Sequence, residues 1–144
     1  MSDALKGKAL RLLARREHSR AELARKLASE GSLEEIASVL DQLEQAGLLS
    51  DRRFAEALVF SRAARFGTAR LRHDLKARGV AEEIIAGALP QDAADEAARA
   101  REVWRRKFGA APADRADYAR QARFLQQRGF ATDIIRKVLK EQQE

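Results

Sequence analysis

The sequence contains no cysteine and only two prolines. Without cysteine there are no disulfides, no thiolate zinc ligands and no thiol nucleophile, which suits a reducing compartment. No apolar run approaches the ~18–20 residues needed to cross a bilayer, and the opening MSDALKGKALRLLARREHSR lacks the uninterrupted apolar stretch of a signal peptide. The chain therefore reads as soluble and cytoplasmic, with no membrane partner. Thr, Tyr and Ile are scarce, strand-like alternation is nowhere sustained, and Ala, Leu, Arg and Glu dominate. That composition points to helix almost throughout.

A catalytic centre is also missing. His18 and His73 show no HExxH-type spacing and have no cysteine to work with. Gly7-Lys8 resembles the tail of a phosphate-binding loop but lacks its upstream glycine and its following Ser/Thr. The acidic pairs Glu34-Glu35 and Glu82-Glu83 open helices, where negative charge is favoured. The reading is a non-enzymatic protein with no cofactor and no metal.

What is present is repetition. Counting back twelve, eight and four residues from a glycine gives Ser19, Leu23, Leu27, Gly31, then Gly67, Leu71, Leu75, Gly79, then Asp117, Gln121, Leu125, Gly129. Each set predicts a short helix: a residue accepted at an N-cap, two inward residues one turn apart, and a glycine suited to a left-handed terminus. Gln121 breaks the leucine pattern. Ser19 and Glu22 form a capping box, Phe66 and Leu71 fit a hydrophobic staple, and Val80 and Phe130 follow their glycines where an apolar contact back onto the helix is expected.

After each glycine comes another helix, with Ile36, Ile84 and Ile134 at equivalent places, and before each short helix lies a longer one, near Ala4–Arg16, Asp51–Ala64 and Ala93–Lys107. The fold class is all-α, with three tandem three-helix repeats over residues 1–50, 51–91 and 92–144. Units this small bury their apolar faces only by stacking, which predicts an elongated, curved array. One longer loop, Phe108 to Asp117, interrupts the third repeat, with Asp117 starting its second helix.

Charge is placed unevenly on this frame. The chain carries 28 basic and 22 acidic residues, net +6. Between Arg52 and Arg78 stand Arg52, Arg53, Arg62, Arg65, Arg70, Arg72, Lys76 and Arg78 against Glu56 and Asp74 alone, so that segment of the middle repeat carries a local +6 while the rest of the chain balances. Arg72 and Lys76 share a helix face away from Leu71 and Leu75. Smaller clusters follow at Arg105, Arg106 and Lys107 and at Arg120, Arg123 and Arg128. Some of this is helix chemistry, since cations are favoured near C-termini. Taken together, Arg62, Arg65, Arg70, Arg72, Lys76, Arg105, Arg106, Lys107, Arg120 and Arg123 form the candidate polyanion-binding set, for phosphate or for acidic protein. All eight aromatics fall after residue 50; Phe54, Phe60, Phe66 and Phe130 are expected in the core, whereas Trp104 and Tyr118 are open.

The segment Leu43 to Ile85 resembles the central part of the bacterial RecX regulatory proteins. The resemblance is carried by Leu48-Leu49, Asp51, Phe54-Ala55, Arg62, Gly67, and Leu75 to Gly79. SRAELARKLASEG, Ser19 to Gly31, is similar to that family's first repeat, and the match is weakest in the last third. The resemblance implies a cytoplasmic, monomeric modulator of the RecA recombinase in recombination and DNA repair. Its partners would be the RecA filament and single-stranded DNA, with duplex DNA a further candidate, and its usual effect would be inhibition of ATP hydrolysis and strand exchange. Two alternatives stay open from the residues alone: a helix-turn-helix-like DNA-binding protein, and a helical scaffold that binds no nucleic acid.

Overall fold

The computed structural model describes residues 2–144, and among them it contains nine α-helices and no strand. These are α1 (Ser2–Arg15), α2 (Arg20–Leu27), α3 (Leu33–Gln45), α4 (Asp51–Arg62), α5 (Thr68–Ala77), α6 (Glu82–Ala88), α7 (Ala93–Lys107), α8 (Arg115–Gln127) and α9 (Thr132–Gln142). They fall into three trios, and in each the first helix is longer than the second, as expected.

Local chemistry sets the boundaries. Ser19 and Glu22 close a capping box at the start of α2, and Ser32 and Glu35 close a second at the start of α3. The second is equally visible in the sequence as Ser-x-x-Glu. At the end of α5 the Val80 amide donates to Leu75 O (3.2 Å), and at the end of α8 the Phe130 amide donates to Leu125 O (3.2 Å). Each is the six-to-one bond of a Schellman terminus, with Gly79 (φ 80°) and Gly129 (φ 91°) in the left-handed position. Val80 and Phe130 are buried, as that motif requires.

Three expectations are corrected. Gly31 is not left-handed; α2 stops at Leu27 and the chain turns through Ala28 in the right-handed region, with the Glu30 amide donating to Leu27 O (2.9 Å). Glycine is used at 31 because a Cβ there would press on Leu5 Cδ2 at 3.2 Å. Asp117 does not cap α8: Asp114 does, accepting from the Asp117 amide (2.8 Å), while the Asp117 carboxylate accepts from the Ala113 amide (2.9 Å). Two acidic residues three apart can form a reciprocal cap, and the earlier one is the cap. Phe60 is not core but 91% exposed. At 100° per residue Ala55 and Leu58 fall within 100° of Phe54 and define the inward arc, whereas Phe60 falls 240° around the helix.

Contacts divide the chain into two compact units. The first holds α1 to α3, α4 as far as Ala57, and Leu75–Ala88. Its core is Leu5, Ala9, Leu23, Leu27, Ile36, Val39, Leu40, Leu43 and Leu49. The second holds Leu58–Asp74 and Leu89–Glu144. Its core is Ala97, Ala100, Val103, Trp104, Leu125, Phe130, Ile134, Ile135, Val138 and Leu139. The middle trio is thus shared: α4 and α5 each contribute one end to each unit.

Gln121, the residue that breaks the leucine pattern, is 2% exposed, and its Oε1 accepts the Trp104 indole N–H at 2.8 Å. Its Nε2 donates to Ala110 O (3.2 Å), tying down the α7–α8 loop. A buried tryptophan needs a partner for that donor, and a leucine at 121 could not supply one.

Candidate anion-binding surface

The short helices meet end to end at repeat-equivalent places, through a side-chain hydroxyl in one unit and through backbone amides in the other. In the first unit the N-cap of α2 abuts the C-terminus of α5: Ser19 Oγ donates to Arg78 O at 2.7 Å, and a Cβ on Gly79 would collide with Ala21. In the second unit the N-terminus of α5 abuts the C-terminus of α8: the Gly67 amide donates to Arg128 O (2.7 Å) and the Ala69 amide to Gly129 O (3.2 Å). There, a Cβ on Gly67 would strike the Gly129 backbone, and one on Gly129 would strike Arg70. By the repeat spacing Ser19 corresponds to Gly67, and Arg78 to Arg128.

The side chains that decorate these two junctions differ in charge. Around the first, Arg53 Nε donates to Glu17 at 2.9 Å, and Glu22 meets Arg16 (3.3 Å) and Arg78 (3.8 Å). Burial opposes ionisation of Glu22, but the hydrogen bonds from Arg16 and the Ser19 amide outweigh it and hold the carboxyl below its usual range. His18 is 1% exposed, and burial lowers its pKa. With Nδ1–H donating to Arg16 O (3.0 Å), Nε2 is free to accept from Lys26 Nζ (3.0 Å), an arrangement open only to the neutral ring.

At the second junction the residues corresponding to Glu17, His18 and Glu22 are Arg65, Phe66 and Arg70. The guanidinium carbons of Arg65, Arg70 and Arg128 lie 5.6, 4.7 and 5.3 Å from the centroid of the Phe66 ring. Phe66, expected as a core staple, is a half-buried platform for three cations. All three lie within 5.6 Å of one point, so no two are more than about 11 Å apart, twice that distance. Each ring contact contributes about 0.5–1 kcal/mol at a surface. Each pair of like charges about 8 Å apart opposes it by about 0.5 kcal/mol in water-like surroundings and about 2 kcal/mol at an effective dielectric of about 20. The carboxylate given to this cluster is Asp74, 6% exposed, which accepts from Arg70 Nε (3.2 Å) and Arg62 Nη1 (3.0 Å).

Arg99, which the sequence reading missed, fixes the loop that carries Phe66. Its side chain is 12% exposed; Nη1 donates to Ala63 O (2.8 Å) and Phe66 O (2.6 Å), Nη2 to Thr68 Oγ1 (3.3 Å), and Nε to Asp95 (2.9 Å). A guanidinium with planar, fixed donors is suited to gather several carbonyls at once. No sequence signal distinguishes it, because only the fold shows where α4 ends over α7.

The remaining candidates divide. Arg128 also lies 5.0 Å from the Phe124 centroid, with Lys107 at 5.3 Å. Phe124 packs edge-on against Phe108 (5.4 Å, 85°), which lies under Arg120 at 5.0 Å. Cations and rings thus run continuously from Arg65 to Arg120. Arg120 is paired with Asp117 (2.7 Å). Arg105 and Arg106 both bind Glu102 (2.7 and 3.1 Å), and those hydrogen bonds, led by Arg105's, pull its carboxyl down to about 2. Arg123 is exposed on α8 and has no ion pair among the described residues, and Arg72 and Lys76 are exposed on α5. Lys76 belongs to the first unit and the others to the second. Arg128 was left out of the candidate set, though its place before Gly129, matching Arg78 before Gly79, marks it as a residue at a junction.

Among the described residues no helix is long and apolar enough to cross a membrane, and no group of His, Cys, Asp or Glu is placed to hold a metal ion.

Comparison with known proteins agrees with this architecture. Three family models match in order: the RecX first three-helix domain over residues 6–43, the second over 50–89 and the third over 94–139. The regulatory protein RecX of Leptothrix cholodnii is 51% identical over 137 residues, covering 94% of this chain and 87% of that protein. That of Herminiimonas arsenicoxydans is 47% identical over 143 residues, covering 97% and 93%. The crystal structure of RecX from Lactobacillus salivarius superposes with a TM-score of 0.83 at 20% identity, over 99% of this chain and 96% of that one. With its nine helices in three matched trios, the chain belongs to the RecX family of regulatory proteins.

Proposed function

We propose that this protein binds the RecA filament on single-stranded DNA and lowers its ATP hydrolysis and strand exchange, as a non-enzymatic regulator acting in the cytoplasm. The observation that carries the reading is the coincidence of membership in a family of regulatory proteins with a dense run of cations between Arg52 and Arg78, eight basic residues against two acidic. A polyanionic filament, with phosphates and acidic protein surface in reach, is the kind of partner such an excess serves. The spread of the cations over α5, the loop before it and α8 supports this reading over a helix-turn-helix, which concentrates contacts on one recognition helix. The test is ATP hydrolysis by RecA on single-stranded DNA as the protein is titrated in, with duplex binding followed in parallel. Hydrolysis should fall at stoichiometries well below one per RecA. Unchanged hydrolysis at saturation together with tight duplex binding would overturn the reading.

A further inference from the structure

We propose that Arg65, Arg70 and Arg128, held around the Phe66 ring, form a clamp for the phosphodiester backbone of a single-stranded nucleic acid. The choice of a single strand rests on the function proposed above; the clamp itself rests on geometry.

Three guanidiniums converge on one ring, and the carboxylate beside them, Asp74, is shared with Arg62. The corresponding places at the first junction hold Glu17, Glu22 and Arg78 and are closed by ion pairs. The helix frame therefore does not require the cations. An anion arriving at the second junction would relieve the repulsion among them, with the guanidiniums already positioned by the ring and by the bond from Arg128 Nη1 to Arg65 O (3.3 Å).

Phosphate suits this arrangement better than carboxylate. Three guanidiniums gathered within 5.6 Å of one ring centre can serve the several oxygens of a phosphate, whereas a carboxylate is satisfied in one plane by one or two arginines. The continuation through Lys107 and Arg120 over Phe124 and Phe108 gives a backbone further cations to follow. Phe66 carries three guanidiniums on its own ring, so its part is to support the arginines rather than to stack a base.

The experiment measures binding of a fluorescein-labelled thirty-nucleotide oligo-dT to the full-length protein by anisotropy, across 50–300 mM salt, with poly-glutamate as a competing polyanion. R65Q/R128Q, which leaves the Arg70–Asp74 pair intact, should weaken binding at least tenfold, and the triple variant adding R70Q should flatten the salt dependence by about 2 in slope, since each lost single-strand phosphate contact removes about 0.7. R11Q/R25Q, at exposed positions on α1 and α2 in the first unit, should stay within twofold. Circular dichroism and melting check that each variant folds. Wild-type protein that binds no oligo-dT, or folded R65Q/R128Q that binds it normally, would overturn the clamp while leaving regulation of the filament standing. Displacement by poly-glutamate at lower charge concentration than by unlabelled oligo-dT would reassign the cluster to acidic protein and overturn it equally. The reading as a RecA modulator fails separately, on the hydrolysis assay.

Discussion

The two helix junctions join repeat-equivalent helix ends and carry different side-chain chemistry. At the first, a serine hydroxyl reaches Arg78 O, and the surrounding charges are paired with Glu17 and Glu22. At the second, two amides of α5 reach the carbonyls at the end of α8, and the surrounding charges are three arginines on a phenylalanine. What is common to both is what the fold needs; what differs is available for binding. This separates scaffold from function inside one chain, where charge alone cannot, because basic residues near helix C-termini are ordinary.

The comparison can be broken most forcefully at its glycines. Gly67→Ala and Gly129→Ala should each cost about 3 kcal/mol, because the new methyl has only backbone or the stem of Arg70 to displace, and Gly129 adds the left-handed strain. Gly47→Ala, at φ 75° but facing open space, should cost only about 1 kcal/mol. Denaturant melts of the three variants measure the difference, and equal losses would show that the close approach at the second junction does not matter.

At the first junction, Ser19→Ala removes both a cap and the bond to Arg78 O and should cost about 1–2 kcal/mol. Grafting the first junction's charges onto the second, as R65E/R70E, should cost about 1–2 kcal/mol, since Arg65 is exposed but R70E sets a like charge beside the buried Asp74 carboxylate that Arg70 pairs. The same variant should abolish measurable oligonucleotide binding. Retained binding would locate the polyanion surface elsewhere, with Arg72 and Lys76 the next residues to vary.

The smallest effect is the pH response of His18. Burial lowers its folded pKa below the ordinary 6.5, so in the unfolded chain the ring takes up a proton at a pH where the folded ring resists it. The stability this site contributes is full above pH 6.5 and is lost as pH falls toward the folded value. The Tm should therefore drop between pH 7 and 5.5, and His18→Gln should flatten that part of the profile. Phe66 stands at the equivalent place in the second junction and has nothing to titrate.

Much of the frame was legible because local chemistry writes it. The Ser19–Glu22 box, the apolar residues following Gly79 and Gly129, and the longer helix before each short one all depend on neighbours within a few positions. The errors came where a residue answers to something distant. Gly31 yields to Leu5 from another helix, Gln121 looked like a flaw until Trp104's indole hydrogen was found against it, and Phe60 followed from assuming that an aromatic on a core helix faces inward. For the surface, the sequence located the excess of arginine correctly. It could not separate Arg105 and Arg106, which share Glu102 on their own helix, from Arg65 and Arg70 at the Phe66 ring, and it passed over Arg128, which reaches the cluster from 63 residues away from Arg65.

The start of α8 carries a consequence for the series as a whole. Ser19 closes the first turn of α2 with Glu22 and still has a hydroxyl hydrogen for Arg78 O at the end of α5, while α5 gives two backbone amides to the carbonyls that end α8. The thirteen-residue α8 runs longer than either and also closes its own first turn, but through Asp114 and Asp117, whose carboxylates have no hydrogen to give a neighbouring carbonyl. Those two aspartates act as a terminator. A further trio added in the same manner would find the docking end already occupied by side chains, and two negative charges set against the carbonyls it would bring. Shortening α8 and replacing both carboxylates is the change that would make this family's three-trio count extendable.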